Sequence, residues 1–451
     1  MGRLFGTDGA RGIANTEISC ELAANIGRAA AMIIEEEKGK RPLFIIGKDT
    51  RISGDMLDCA ITAGLCSAGA DVIRLGVVPT PAVAYLVQQL GADAGVMISA
   101  SHNPAEFNGI KLFGSSGFKL TDEEEYEIES IVLDNAIPYT VKWGGHVGRV
   151  TEDHQAVQQY IRHVVSTLEG DLTGLRVAID CANGSASATA KALFEELGAE
   201  CTILHSSPDG VNINQDCGST HMGRLAKLVQ AGGFDAGLAF DGDADRCLVV
   251  DEKGNAVSGD QMIAILAHWL REQGRLKNDA VVVTVMSNFG FFEFAREQGI
   301  SAEATKVGDR YVLERMLEKG HIIGGEQSGH IIFLEHMTTG DGQLTAVQLL
   351  GVMKKTGRPL SELVGVMNEY PQVLVNLRAD TYMKCNWELD EGVSKCIAHC
   401  NDQLAGDGRI LVRASGTEPL IRIMVEGKSH QQISDMANLI ADTIRNRLEQ
   451  K

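Results

Sequence analysis

Short apolar runs that end in polar or glycine-rich turns recur along this chain, and a helix-period pattern follows each. LFIIGKDTRISG (43–54), LRVAIDCANGSAS (175–187) and AVVVTVMSNFG (280–290) read as strand, turn and helix start. ADAGVMISASHNP (92–104) and FDAGLAFDGDADR (234–246) run from Asp-Ala-Gly through apolar residues into a polar loop, and HIIGGEQSGH (321–330) ends likewise. The spacing is far too long for a short-period solenoid, so the pattern predicts an α/β unit repeated three times. Ligands of open α/β sheets sit beyond the carboxyl ends of the strands, so three such units would aim three loops at one site.

Beyond residue 370 the pattern changes. QVLVNLRAD, a helical stretch over 387–404, the hairpin GRILVRASGTEPLIRIMVEG and an amphipathic helix from Gln431 predict a small α+β domain. Its boundary falls at Tyr370-Pro371, because proline discourages helix in the residue before it. The expected fold class is therefore α/β, with three similar α/β domains around a central cleft plus a smaller C-terminal α+β domain. The expected boundaries are 1–155, 156–255, 256–370 and 371–451. TDEEEYEIES (121–130) reads as a solvated helix face with no role of its own.

The chain has 451 residues, too many for one core, since single cores stop growing near about 250–300 residues. Hydrophobic residues make up 44% and charged residues 22%, and no apolar run approaches a membrane span. MGRLFGTDGARG lacks the apolar segment of a secretory signal, so a cytoplasmic location is expected. The ten cysteines are scattered through apolar segments without a C-x-x-C pair, as expected of core residues in a reducing compartment. Cys396 and Cys400, four apart, receive no function. The formal charge of −19 argues against nucleic acid as a partner. It leaves room for a small anion, because salt screens distant charge and a local Arg and Lys cluster suffices.

Four loops carry the chemistry. AFDGDADRCLVVD places Asp241, Asp243 and Asp245 at alternate positions, where three carboxylates converge on one hard cation if the backbone bends. With Glu252 they match positions 1, 3, 5 and 12 of a helix-loop-helix calcium loop, but Arg246 stands where that loop requires glycine. A magnesium ion shared with a phosphate fits better than calcium or a merely solvated acidic turn. RASGTEPLIRIMVEG offers Arg413, Ser415, Gly416 and Thr417 in a turn, a phosphate cradle as readily as an ordinary hairpin turn; Arg422 is a second donor or an edge-strand charge. GGEQSGH sets Glu326, Ser328 and His330 on one face if extended, suited to hydroxyl recognition, although a lone histidine is more often a core residue. FGTDGARG carries Arg11, and TKVGDRYV carries Lys306 and Arg310, further substrate-binding candidates on what are otherwise plain turns.

MISASHNPAEFNGIKLF (97–113) then poses a question, because Ser-Ala-Ser-His-Asn-Pro is expected neither to pack in a core nor to continue a ladder past Pro104. Ser101 is a helix cap or a nucleophile. With a cation held by the aspartate loop nearby, it would carry a transferable phosphoryl group, with His102 or Lys111 exchanging protons with substrate.

SASHNP, DGDADR, GEQSGH and RASGTEPLIRIMVEG, in this order and spacing, resemble the α-D-phosphohexomutases over the whole chain. GTDGARG, VGDRYV and Gln327 are most similar to the bacterial branch acting on amino-sugar phosphates; Ser99, where relatives often have Thr, is a departure. The resemblance implies a phosphoserine at Ser101, with Mg2+ bound by its phosphate and by Asp241, Asp243 and Asp245. Arg246 would steady the transferring phosphoryl group. Glu326 and Ser328 would bind sugar hydroxyls, and Arg413, Ser415, Gly416 and Thr417 the non-reacting phosphate. It further implies interconversion of glucosamine 6-phosphate and glucosamine 1-phosphate through a bisphosphate, feeding UDP-N-acetylglucosamine and cell-wall synthesis. The alternatives are the same fold acting on glucose or mannose phosphates, a non-catalytic phosphosugar-binding protein, and a phosphatase. The expected partner is a small phosphosugar, with no nucleic acid and no membrane; an oligomer is compatible with the sequence.

Overall fold

The computed structural model describes residues 2–6, 8–415 and 419–449. Three sheets share one strand order. The first runs Ala10–Ile13, Phe107–Gly114, Ala94–Ile98, Leu43–Lys48, Asp71–Val77 and Val150–Glu152. The second runs Ala256–Val257, Cys247–Asp251, Ala236–Phe240, Arg176–Asp180 and Glu200–Leu204, and the third Ile331–Phe333, Ile323–Gly325, Ala280–Thr284 and Ser301–Thr305. In each, parallel strands lie beside a return strand paired antiparallel to the third of them: Ala94–Ile98 with Phe107–Gly114, Ala236–Phe240 with Cys247–Asp251, and Ile323–Gly325 with Ile331–Phe333. The repeat seen in the sequence is thus a repeat of topology, and each of the three polar loops joins a strand to its return partner.

The strands entering those loops are buried at every position, Ala94–Ile98, Ala236–Phe240 and Ile323–Gly325 alike, as continuous apolar runs require in a sheet covered on both faces. Helices bordering the sheets are closed by local chemistry. Ser19 caps Cys20–Lys38 by accepting from the Leu22 N–H, and Gly39 ends it at φ 64°, its N–H bonded to the Glu35 carbonyl. Cys20–Lys38 packs on Ser53–Ala68 so closely that a Cβ on Gly64 would strike the Ala24 carbonyl.

The chain divides into two compact units, residues 1–286 with 300–365, and residues 287–299 with 366–451. The second unit holds a three-stranded antiparallel sheet, ordered Gln372–Arg378, Leu420–Gly427 and Gly408–Ala414, packed on helices Glu391–Leu404 and His430–Leu448. Leu377, Ile421, Ile423, Val425, Ile433, Ile440 and Ile444 form its core. Helix Phe289–Gln298 belongs to this unit; buried Glu426 accepts from the Phe289 N–H and pairs with Arg409 at 2.5 Å. Among the described residues, no helix is long and apolar enough to cross a membrane.

The acidic helix Asp122–Asp134 is more than a solvated face. Glu129 is buried and accepts from the backbone N–H groups of Arg3, Leu4 and Phe5, and Glu125 pairs with Arg310 at 2.8 Å. Periodicity finds the face; it does not reveal which carboxylates another segment turns inward to meet.

Candidate active site at three strand tips

Ser101 and the aspartate loop meet. Ser101 Oγ donates to Asp241 Oδ2 at 2.6 Å, across 140 residues of sequence. The SASHNP loop is not excluded from the interior: Ser99, Ala100 and Ser101 are all buried. What was missing from the sequence reading is the set of polar partners that makes burial tolerable. Ser101 adopts φ 52°, a left-handed backbone rare for a non-glycine residue, and the surroundings over-determine it. Its N–H donates to Ser99 Oγ at 2.9 Å, and Ser99 Oγ donates to Asp49 Oδ2 at 2.6 Å.

Arg51, completely buried, completes that scaffold. Its Nε donates to Asp49 Oδ2 at 2.8 Å, and its two terminal nitrogens reach the carbonyls of Ser101 at 3.0 Å, Asn103 at 2.8 Å, Phe107 at 3.0 Å and Pro104. Asn214, from the second sheet's loops, donates to the Ser101 and Asn103 carbonyls at 2.9 and 3.0 Å. Asp49, Arg51 and Asn214 are not among the residues that the sequence pattern singles out. The signal for the first two was their place at a strand tip in LFIIGKDTRISG; nothing local marks Asn214.

The aspartates are crowded. One oxygen from each of Asp241, Asp243 and Asp245 lies within 4.8 Å of the others, and all three side chains are buried. Burial, with Asp245 and Asp243 alongside, pushes the Asp241 carboxyl well above the ordinary aspartate range. Asp245 is held low: Lys111 and His330 outweigh the opposing effect of burial. Asp243 accepts from Thr80 Oγ1 at 2.6 Å and pairs with Lys111 at 2.8 Å. Asp243 Oδ1 and Asp245 Oδ1 are buried without a hydrogen-bond partner among the described residues, so the cluster presents oxygen donors suited to a cation.

Around it lies a web of buried charge. Lys111 pairs with Asp8 at 3.0 Å and Asp245 at 3.4 Å besides Asp243; burial alone would lower its ammonium, but the three carboxylates hold it well above the ordinary lysine value. Lys119 bridges Asp8 and Asp309, the latter at 2.5 Å, and His330 lies 3.6 Å from both Asp245 and Asp309. His102 stands 3.4 Å from Ser101 Oγ and 3.3 Å from an Arg246 nitrogen. Burial, then the Arg246 and Arg11 guanidiniums, lower its imidazole to about 4. Arg246 also donates its backbone N–H to Asp241 Oδ1 at 3.2 Å, and Arg11 pairs with Asp8.

The remaining candidates divide. GEQSGH is a turn rather than an extended segment, closed by Glu326 N–H to the His330 carbonyl and Gly329 N–H to the Glu326 carbonyl, so alternation does not set its side chains on one face. Glu326 Oε1 accepts from the Gly308 N–H at 3.1 Å, Ser328 Oγ is buried without a partner, and His330 is buried against the aspartates. Lys306 is exposed beside the Tyr311 ring. The Arg310 guanidinium is engaged by Glu125, Asp122 and the Leu120 carbonyl. In the second unit Arg413 faces Arg422 across paired strands, Ser415 is buried, and Gly416 and Thr417 lie outside the described residues. Burial and Arg422 lower the Arg413 guanidinium.

Comparison with known proteins agrees along the chain. Residues 2–137, 158–254 and 258–370 match the phosphoglucomutase/phosphomannomutase alpha/beta/alpha domains I, II and III, and residues 374–443 match the C-terminal domain of the same proteins. A phosphoglucosamine mutase of Acetivibrio thermocellus is 53% identical over 448 residues, 99% of this chain and 100% of that protein. Another, of Clostridium novyi, is 50% identical over 98% of this chain and 99% of its own length. The fold matches a phosphoglucomutase/phosphomannomutase family protein of Burkholderia thailandensis with a TM-score of 0.83 at 23% identity, over 98% of this chain and 97% of that one. It also matches Aspergillus fumigatus N-acetylphosphoglucosamine mutase, solved with GlcNAc-6P and magnesium, with a TM-score of 0.72 at 17% identity, over 98% and 95% of the two chains. By motif, topology and full-length similarity, the chain belongs to the phosphoglucomutase/phosphomannomutase family, the α-D-phosphohexomutases.

Proposed function

We propose that this chain interconverts glucosamine 6-phosphate and glucosamine 1-phosphate by lending a phosphoryl group from Ser101 and reclaiming another. The observation that carries the reading is the 2.6 Å contact between Ser101 Oγ and Asp241 in a buried tri-aspartate cluster. The substrate is argued from relatives at 53% and 50% identity that are phosphoglucosamine mutases.

Asp241, Asp243 and Asp245 would hold Mg2+ together with the Ser101 phosphate: an all-oxygen donor set suits a hard cation, and two of its oxygens are buried without partners. The ion would supply charge neutralisation for the phosphoryl oxygens. The free sugar hydroxyl attacks phosphorus, the bond from phosphorus to Ser101 Oγ breaks, and the new phosphate ester forms on the sugar. The hydroxyl proton passes to His102, the neutral imidazole beside Oγ, which hands it on to the departing Ser101 Oγ. Lys111, buried among Asp8, Asp243 and Asp245, stays protonated and balances their charge rather than shuttling protons. Arg246 and Arg11 contribute positive charge near the transferred group. The resulting bisphosphate turns over and returns its other phosphoryl group to Ser101. Glu326 and Ser328 are the sugar-hydroxyl contacts. Arg413 and Arg422, cross-strand neighbours, would grip the non-reacting phosphate with Ser415, Gly416 and Thr417. The segments 1–155, 156–255 and 256–370 would carry the serine, aspartate and sugar-binding loops, and 371–451 the phosphate-binding loop. A cytoplasmic setting fits ten cysteines that are all free.

A coupled isomerisation assay with intact-mass analysis tests this reading. Ser101→Ala should carry no exchangeable phosphate and lose turnover, and chelation should abolish wild-type activity until Mg2+ is restored. Normal turnover in Ser101→Ala overturns the mechanism, stoichiometric release of inorganic phosphate points to a phosphatase, and faster reaction with glucose or mannose phosphates moves the substrate assignment.

A further inference from the structure

A second group of side chains lies apart from the tri-aspartate site, at the tips of two neighbouring parallel strands. Arg176–Asp180 ends in Asp180, and Glu200–Leu204 is followed by His205; the strands pair with Asp180 opposite Leu204. The loop that leaves His205 returns to place Cys217 against them, and one donor atom from each of Asp180, His205 and Cys217 lies within 4.8 Å of the others. Asp180 and Cys217 are buried and His205 is partly so.

The contacts within this group leave its donor atoms within reach of one ion. Asp180 Oδ1 accepts from the Ala182 N–H at 2.9 Å, which leaves Oδ2 facing His205 Nδ1, also at 2.9 Å. The two form an ion pair when the imidazole is protonated, and the buried Nδ1 has no other partner among the described residues. The Cys217 sulfur has only the Asn183 amide, at 4.0 Å. In a tetrahedral zinc site with bonds of about 2.0–2.3 Å, neighbouring donor atoms stand about 3.3–3.8 Å apart, so the three need shift by only about 1 Å to share one ion. One sulfur, one nitrogen and one oxygen form a softer set than the all-oxygen aspartate cluster and select a different metal.

We propose that Asp180, His205 and Cys217 form a second metal site, for a borderline-soft divalent cation of the zinc type, with the fourth position left to water. Metal binding releases the thiol proton of Cys217 and closes the 205–217 loop onto both strand tips. That loop carries Asn214, which donates to the Ser101 carbonyl, so the site braces an arm that reaches the proposed nucleophile.

The test uses the full-length protein, reduced, stripped of metal, and saturated with Mg2+ to occupy the aspartate cluster before Co2+ is titrated. One equivalent of Co2+ should bind with near-ultraviolet thiolate-to-cobalt charge transfer and the strong visible bands of four-coordination, and Zn2+ should displace it. Cys217→Ser should abolish the charge-transfer band, and His205→Gln, at a partly exposed position, should weaken binding by at least about 100-fold. Cys201→Ser should retain the full signal. Absence of charge transfer in the wild type, its survival in Cys217→Ser, or unchanged affinity in His205→Gln overturns the proposal. If Cys217→Ser fails to fold, the wild-type spectrum and His205→Gln still decide it. No turnover is measured, so the result stands apart from the sugar-phosphate reading.

Discussion

Replacing Arg51 with lysine asks whether the Ser101 backbone is held in place for chemistry or merely for stability. The Arg51 side chain makes one bond to Asp49 and four to carbonyls between residues 101 and 107. Lysine keeps the charge opposite Asp49 but has three donors at one point, so at least two of these contacts are lost. A hydrogen bond to a charged group contributes about 1.5–3 kcal/mol, so Arg51→Lys should destabilise by roughly 3–6 kcal/mol, less whatever water recovers. The kinetic share is separable. A left-handed non-glycine residue costs about 1–3 kcal/mol and persists only while its surroundings enforce it. Relaxation of Ser101 away from φ 52° would lower kcat by a factor of roughly 5–150. Arg51 is completely buried and its side-chain donors face Asp49 and these carbonyls, so KM should stay within about two-fold of wild type. Urea unfolding and a coupled isomerisation assay on the same preparation measure both parts. Wild-type kcat in a correctly folded Arg51→Lys protein would refute the claim that this clamp poises the serine.

Two pH-dependent predictions come from carboxylates outside the metal cluster. Glu129 is held below the ordinary glutamate value: burial opposes this, but three backbone N–H groups favour the ionised form. Its contribution is present above the unfolded-state value and lost as pH falls through the folded one, so Glu129→Gln should cost about 1–3 kcal/mol at pH 7 and progressively less in acid; equal losses at pH 7 and pH 4 in urea titrations would contradict this. Asp341, which caps helix Gly342–Thr356 and accepts from the Tyr160 hydroxyl, is pushed by burial up to about 7. The folded state therefore keeps a proton that the unfolded chain releases near pH 4, and stability falls as pH climbs from there to about 7. Asp341→Asn preserves the cap without ionising, so its unfolding free energy should lack that fall between pH 5 and 8, whereas a slope matching wild type would rule the assignment out.

Sequence alone made the strand tips legible because each combines two strong signals: an apolar run too continuous for a surface strand, and polar residues with no reason to follow it unless they act on something. Ser101, Asp241, Asp243 and Asp245 were found that way, and the structure brings them together. Arg51 and Asn214 escaped because their importance lies in which carbonyls they meet, and those carbonyls belong to a segment 50 or more residues away in sequence. The same gap explains two misreadings. GEQSGH reads as extended until the return strand Ile331–Phe333 folds it into a turn, and Glu125 and Glu129 read as solvated until the N-terminal segment and Arg310 arrive to pair with them.

Because every loop of the trio is pinned at both ends within one sheet, its residues can drift while its neighbours keep their positions. The five residues between Gly325 and Ile331 form such a cassette. Glu326, Gln327 and Ser328 could be rewritten within that short link, whereas His330 at its end, 3.6 Å from Asp245, ties the cassette to the aspartates.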